Sequence, residues 1–268
     1  MSALKITILG CGSSFGVPLF HNIWGKCDPN EPKNRRTRPS ILVQKNGKNL
    51  LIDTSPDLKQ QFLSNKIDNI DAVFYTHEHA DHTHGINELR SINLIHGKII
   101  PCYGDEQTMK KITNSFNYLF ENTEKSYYPA ILSKKLFSSK EIEIFGINIK
   151  LISQNHGDID SIGFIFDDKV AYNLDVKYFY DQEEYFKKIR NIDHWIVGCL
   201  RIDSHISHAS LAEVKEWLSI VKPKNAYLSH MTAHLDYKDT IKYLDNENYM
   251  PVLRLLTHRG SERGVAPI

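Results

Sequence analysis

The chain has 268 residues, enough for one large domain or two small ones. Its 41% hydrophobic and 24% charged residues match an ordinary soluble globular protein, and 33 basic against 32 acidic residues leave a formal charge of +1. Bulk electrostatics therefore give no reason to expect a nucleic-acid binder, and no apolar run approaches membrane-spanning length.

Residues 1–10 lack a basic segment followed by a long apolar core, so residues 6–9 read as a first strand and not as part of a signal peptide. The glycine-rich loop from Gly10 to Pro18 lacks the Gly-Lys-Ser/Thr ending of a Walker loop, and no helix follows it. Its glycines predict a tight turn that brings backbone close to other loops. A long polar connection, residues 20–38, ends in four cations, Lys33, Arg35, Arg36 and Arg38. They either face solvent or receive a phosphate or carboxylate, which guanidinium groups grip through paired hydrogen bonds. Residues 40–43 and 49–53 predict a hairpin around Asn46-Gly47. Asp53 closes the second strand, where its carboxylate either orients a metal-ligating histidine or caps the helix predicted over residues 58–63.

Residues 71–75 are apolar and β-favouring, a buried strand. Directly after it comes His77-Glu78-His79-Ala80-Asp81-His82, three histidines and an aspartate in the order H-x-H-x-D-H. In an extended chain residues i and i+2 point the same way, so His77 and His79 can offer two imidazole nitrogens to one cation. Asp81 and His82 are adjacent and diverge, so one pair can serve a first ion and the other a second. Imidazole with carboxylate suits zinc, manganese, iron or nickel. A polar loop bonded to water is the alternative, and the stretch alone leaves one ion or two open.

Residues 105–120 predict an amphipathic helix, and residues 141–145 and 147–152 predict strands around Gly146, with His156 past the second. Residues 162–166 and 170–175 predict a hairpin turning at Asp167-Asp168-Lys169, with Asp175 at its end. A helix over residues 183–189 and a buried strand over residues 194–200 lead to a polar loop holding His205 and His208. Leu211, Val214, Trp217, Leu218 and Val221 recur at helical spacing and are core positions. Residues 226–229 form the next strand, with His230 at its end. Taken singly, His156 and Asp175 read as surface or capping residues; together the strand-end placements mark a site where strand ends converge. Strands alternating with helices, and no linker, predict a single domain over residues 1–268. Four widely spaced cysteines, Cys11, Cys27, Cys102 and Cys199, predict reduced thiols and a cytoplasmic protein. The tail, residues 253–268, with His258 and Arg259, has no assigned role.

The H-x-H-x-D-H motif after a buried strand, with Asn49-Leu50-Leu51-Ile52-Asp53 before it and His156, Asp175 and His230 at later strand ends, resembles the metallo-β-lactamase superfamily over residues 6–237. Within it, Leu9-Gly10-Cys11-Gly12-Ser13-Ser14-Phe15-Gly16-Val17-Pro18 and Asn34-Arg35-Arg36-Thr37-Arg38-Pro39-Ser40 resemble the PhnP-like phosphodiesterases, the branch that includes the phosphoribosyl cyclic phosphodiesterase of phosphonate breakdown.

The resemblance implies an α/β fold of the αββα kind, two mixed β-sheets with outer helices, and a dinuclear site for two divalent transition metal ions, Zn2+ or Mn2+. By it, His77, His79 and His156 would hold the first ion, Asp81, His82 and His230 the second, and Asp175 would bridge them. Asp81 and His208, the latter in Ser207-His208-Ala209-Ser210, would be catalytic; Asp53 would orient a ligand from behind; Arg35, Arg36 and Arg38 would touch substrate. The implied reaction is hydrolysis of a cyclic phosphate or nucleotide-like phosphodiester by a hydroxide shared between the ions, in a homodimer, away from membranes. Relatives carry a Cys-x-Cys-x-x-Cys cluster for a structural zinc where this chain keeps only Cys27, so no structural zinc is expected. A ribonuclease of the tRNase Z kind shares most ligands but would want a protruding basic exosite. A non-hydrolytic metal-binding or cofactor-biosynthesis protein on this fold would lack an intact second metal position.

Overall fold

A computed structural model describes residues 3–122, 129–245, 252–255 and 265–267. The chain divides into two compact units, the described residues of Met1–Leu9, Ser40–Gly146 and Gly260–Ile268, and those of Gly10–Pro39 and Ile147–Arg259. His258 and Arg259 lie outside the described residues.

The sheet of the first unit contains β1 (Lys5–Gly10), β2 (Ser40–Lys45), β3 (Lys48–Ile52), β4 (Ala72–Phe74), β5 (Ile100–Gly104) and β6 (Leu132–Leu136), hydrogen-bonded in that order, with Val265–Pro267 antiparallel along the outer side of β1. A further strand, β7 (Glu141–Ile144), follows β6 in the chain. β2 and β3 form the hairpin expected at Asn46-Gly47, whose φ values of 52° and 71° are the positive pair that a two-residue turn of this hand requires. β3 to β6 run parallel, so each connection must cross over the sheet, and helices make those crossings. These are α1 (Leu58–Asn65), the single turn α2 (Ala80–Thr83), α3 (Leu89–His96), α4 (Glu106–Ser115) and α5 (Asn117–Phe120). Leu58, Phe62, Leu89, Ile92, Met109 and Ile112 on these helices join Leu42, Leu51 and Val73 in one core. The helix expected over residues 105–120 is two helices. Phe116 leaves the helical region (φ −127°, ψ 35°) while its ring packs on that core.

The second unit begins its sheet with β8 (Ile147–His156), β9 (Ile159–Phe166) and β10 (Val170–Asn173), an antiparallel meander edged by β11 (Tyr178–Phe179). β10 then pairs parallel with β12 (His194–Gly198), which continues parallel into β13 (Asn225–Ser229) and β14 (Val252–Leu255). The helices are α6 (Gln182–Lys188), α7 (Leu211–Val221) and α8 (Tyr237–Asp245). α7 shows why the sequence folds as it does. Ser210 and Glu213 cap its start reciprocally, side chain to backbone in both directions, and its five periodic apolar residues are all buried. Trp217 packs with Phe179 and Phe186, and Phe186 with Trp195, ring centroids 5.3–6.1 Å apart.

The chain is thus mixed α/β with two mixed sheets and helices, the fold class expected from the resemblance. Among the described residues no helix is long and apolar enough to cross a membrane. All four cysteines are buried, and burial pushes the Cys11 and Cys199 thiols up to about 12, which makes them poor nucleophiles.

Candidate metal centre

Parallel strands end on one edge of a sheet, where ligand-binding loops of α/β proteins gather. In the first unit Asp53 directly follows β3 and His77 follows β4. Asp53 adopts φ +61°, a backbone state a non-glycine residue holds only when its surroundings impose it. Its own N–H donates to Phe74 O at 2.9 Å. Its carboxylate accepts from Thr76 N at 2.8 Å, from Thr76 Oγ1 at 2.9 Å and from His82 Nδ1 at 2.7 Å. It does not cap α1, whose N-cap residue is Asp57. Burial raises the Asp53 pKa, and His82 and Thr76 oppose that rise.

These bonds fix proton positions on two histidines. A carboxylate only accepts, so His82 Nδ1 carries the proton and Nε2 keeps a lone pair, 3.4 Å from Asp81 Oδ2. The Thr76 hydroxyl proton is committed to Asp53, so its oxygen accepts from His77 Nδ1 at 3.0 Å, and His77 Nε2, 2.9 Å from His79 Nδ1, is likewise left with a lone pair. Asp81 and His82, adjacent and divergent in the sequence, sit on the single helical turn α2. Gly85 explains the turn: a Cβ there would lie 1.9 Å from Ser55 O. With no side chain in the way, Gly85 N donates to Thr54 O at 2.8 Å and Thr54 N to His82 O at 2.7 Å.

In the second unit His156 is the last residue of β8, Asp175 lies just beyond β10 with φ +25°, and His230 just beyond β13 with φ +57°. Asp175 Oδ1 is 3.3 Å from His230 Nε2, 3.6 Å from His156 Nε2 and 3.7 Å from His208 Nδ1. Two ligands each 2.0–2.1 Å from a tetrahedral ion stand roughly 3.3 Å apart, so this spacing suits donors that share an ion. His156 Nδ1 lies 2.8 Å from Ser207 O, an acceptor only, so it carries the proton and Nε2 the lone pair. His230 is held from behind by the glycine-rich loop, since Met231 N donates to Cys11 O at 3.0 Å and Ser13 N to Met231 O at 3.1 Å.

His208 stands edge-on to His156, centroids 4.5 Å apart, and stacks on His230 at 4.9 Å. Burial drives its pKa down to about 2, against the pull of Asp175 and with the neighbouring histidines adding to the drop. It is therefore a neutral imidazole. With His156 and Asp175 it offers ligand atoms within 4.8 Å of one another. His205 contacts Ser207 instead, accepting from Ser207 N at 3.3 Å.

The three arginines have three surroundings. Arg36 is buried and donates to Thr232 O at 3.1 Å, Leu235 O at 2.6 Å and Asn34 Oδ1 at 3.1 Å, so it faces the protein's own backbone. Arg35 is exposed and lies over the Trp24 ring at 4.7 Å. Arg38 is half-buried. Near them Cys27 packs with Val17, Trp24 and Ala233. The sequence assigns no role to Thr76 or Ser207, and adjacency to His77 and His208 is the one local signal for either.

Strand-end histidines and aspartates on two mixed sheets define a class: residues 48–231 match the beta-lactamase superfamily domain, and the chain belongs to that superfamily. The crystal structure of a diphosphatase from the PhnP family superposes with a TM-score of 0.81 at 29% identity, covering 95% of each chain. An octanoyltransferase of Porphyromonas gingivalis is 28% identical over 236 residues, 86% of this chain and 46% of that protein. Ribonuclease Z of Methanopyrus kandleri is 34% identical over 76 residues, 27% of each. The chain thus matches less than half the length of these two relatives. It is a chain of the metallo-β-lactamase superfamily, similar to the PhnP-family diphosphatase over nearly its whole length and to ribonuclease Z over part of it, and its described residues include histidine and aspartate clusters able to bind metal.

Proposed function

We propose that this protein is a dinuclear metal-dependent phosphodiesterase acting on a cyclic phosphate or nucleotide-like phosphodiester. In this reading His77, His79 and His156 would hold one ion and Asp81, His82 and His230 another, with Asp175 shared between the two sets, and the ions would be Zn2+ or Mn2+. One observation carries the reading above all. His82 and His156 are each tethered at Nδ1 to an acceptor of the chain itself, which leaves Nε2 lone pairs ready for a cation before any ion arrives. Imidazoles mixed with carboxylates are the donors that transition ions prefer. Divalent ions bound there acidify water and neutralise charge on phosphoryl oxygens.

The chain's own contribution is to aim donors and handle a proton. His208, a neutral imidazole at rest, takes the proton that the attacking water gives up and returns it to the departing alkoxide, a step typically worth about 10²–10⁴-fold. Arg35 and Arg38 remain the candidates for gripping a second phosphate, while Arg36 braces the loop that carries them. The likeness to a diphosphatase of the PhnP family extends the substrate class to phosphoanhydrides. The protein acts, in this reading, as a cytoplasmic homodimer on a small substrate.

Metal-free protein reloaded with Mn2+ or Zn2+ should hydrolyse bis(p-nitrophenyl) phosphate and bind two ions per chain. A panel of cyclic phosphates, dinucleotides, diphosphates, octanoyl esters and precursor tRNA then ranks the substrates. One ion or none, with no turnover of any panel member, would sink the proposal. A second reading, a ribonuclease of the tRNase Z kind, is favoured by the ribonuclease Z match and wins if precursor tRNA is cut faster than every small diester.

A further inference from the structure

The carboxylate of Asp175 is ringed by three imidazole nitrogens, yet its backbone has just left β10 with φ +25°. Something must hold that conformation. Directly behind it, buried side chains form a hydrogen-bonded chain whose direction can be worked out from donor types alone. The Trp195 indole N–H can only donate, so the Asn173 atom it meets at 2.9 Å must be the amide oxygen, which also accepts from Tyr185 OH at 2.6 Å. Asn173 Nδ2 therefore faces Gln154 Oε1, at 2.9 Å. Gln154 Nε2 is then free to donate twice, to Leu174 O at 2.7 Å and to Ser161 Oγ at 3.0 Å. Ser161, its oxygen occupied, donates its own proton to Asp175 O at 2.8 Å.

The chain ends on the carbonyls of Leu174 and Asp175. Those two carbonyls belong to the peptide planes on either side of the Asp175 Cα, so fixing both fixes φ and ψ there and with them the direction of Cβ. Every polar link is buried: Asn173, Ser161 and Trp195 are 0% exposed, Gln154 1% and Tyr185 5%. A buried network this complete rigidifies what it touches, whereas one left half-satisfied would cost more than an apolar core. A second observation shows that β9 makes room for it. A Cβ on Gly163 would lie 2.3 Å from Asn173 Nδ2 and 2.7 Å from Gln154 Oε1, so this strand position must be without a side chain.

We propose that Trp195, Tyr185, Asn173, Gln154 and Ser161 are positioning residues that aim the Asp175 carboxylate at His156 and His230. The proposal rests on the reading of Asp175 as a metal ligand. None of the five sits among the metal-ligating side chains themselves. Their contribution is to hold the carboxylate where an ion finds it already placed.

Calorimetric titration of the metal-free full chain with Co2+, paired with the visible absorption of the bound ion, tests this. Ser161→Ala should weaken the tightest Co2+ site by about 10–100-fold and shift its absorption band, because the ligand field changes when Asp175 loses its aim. Val214→Ala, a cavity in α7 at a side chain without polar atoms and hence outside the hydrogen-bonded network, should lower thermal stability while leaving Co2+ affinity and spectrum as in the parent. If Ser161→Ala fails to fold, Ser161→Cys, close in shape with a far weaker donor, should show the same weakening and band shift. Unchanged affinity and spectrum in the Ser161 variant that folds, or equal losses in Val214→Ala, would overturn the positioning role. A parent chain that binds no Co2+ would instead remove the metal reading on which that role rests.

Discussion

The two units assemble their donors in opposite ways. The first takes His77, His79, Asp81 and His82 from six consecutive residues and orients two of the histidines with one buried side chain, Asp53. The second takes His156, Asp175, His208 and His230 from four separate places in the sequence and orients His156 with a backbone carbonyl, that of Ser207. A site encoded in one stretch can be damaged at one position behind it. A site gathered from strand ends depends on the fold at each end, and no single substitution can remove a carbonyl tether.

Substitutions sort these dependencies by size. Asp175→Ala should have the largest effect, because the carboxylate shared by three nitrogens disappears. Turnover should fall on the order of 10³-fold or more and bound metal should drop, measured together by phosphodiester assay and atomic absorption. His208→Ala comes next, with a loss of about 10²–10⁴-fold in turnover and metal content unchanged. If metal is lost with it, the grouping of His208 with His156 and Asp175 is a ligand set, and its assigned role is wrong. Asp53→Asn should weaken metal retention about 10–100-fold, read by dialysis against a chelator, since an amide cannot serve His82 Nδ1 and both Thr76 donors as a carboxylate does. The smallest effect is expected from Lys111→Met. Lys111 on α4 pairs with Glu78 between the two histidines of the motif, but with half its surface in solvent the pair is worth at most about 1 kcal/mol. A fall of roughly 2–4 °C in the thermal midpoint, with turnover retained, is the outcome that fits.

The same contrast explains what could be read in advance. The hairpin at Asn46-Gly47, the five buried positions of α7 and the six-residue metal motif are local patterns, and each lies where its pattern placed it. The helical turn that carries Asp81 and His82 has no such local pattern, because it depends on Gly85 meeting Ser55, a packing event with no periodicity. The backbone partners of Arg36 lie 196 and 199 residues further along the chain, so its sequence neighbours point towards solvent or substrate and say nothing of its burial. The network behind Asp175 was equally silent, because Gln154, Ser161, Asn173, Tyr185 and Trp195 look like ordinary strand and helix residues until β8, β9 and β10 are paired.

Asp53 has a consequence beyond orientation. It holds His82 directly and His77 through Thr76, and in the proposed two-ion site those histidines serve different ions. Ordering either ring tightens the same carboxylate, so the two occupancies are thermodynamically linked. By reciprocity each ion changes the affinity for the other by one common factor. A metal titration of the parent chain should then need a coupling factor between its two sites, and Asp53→Asn should change that factor.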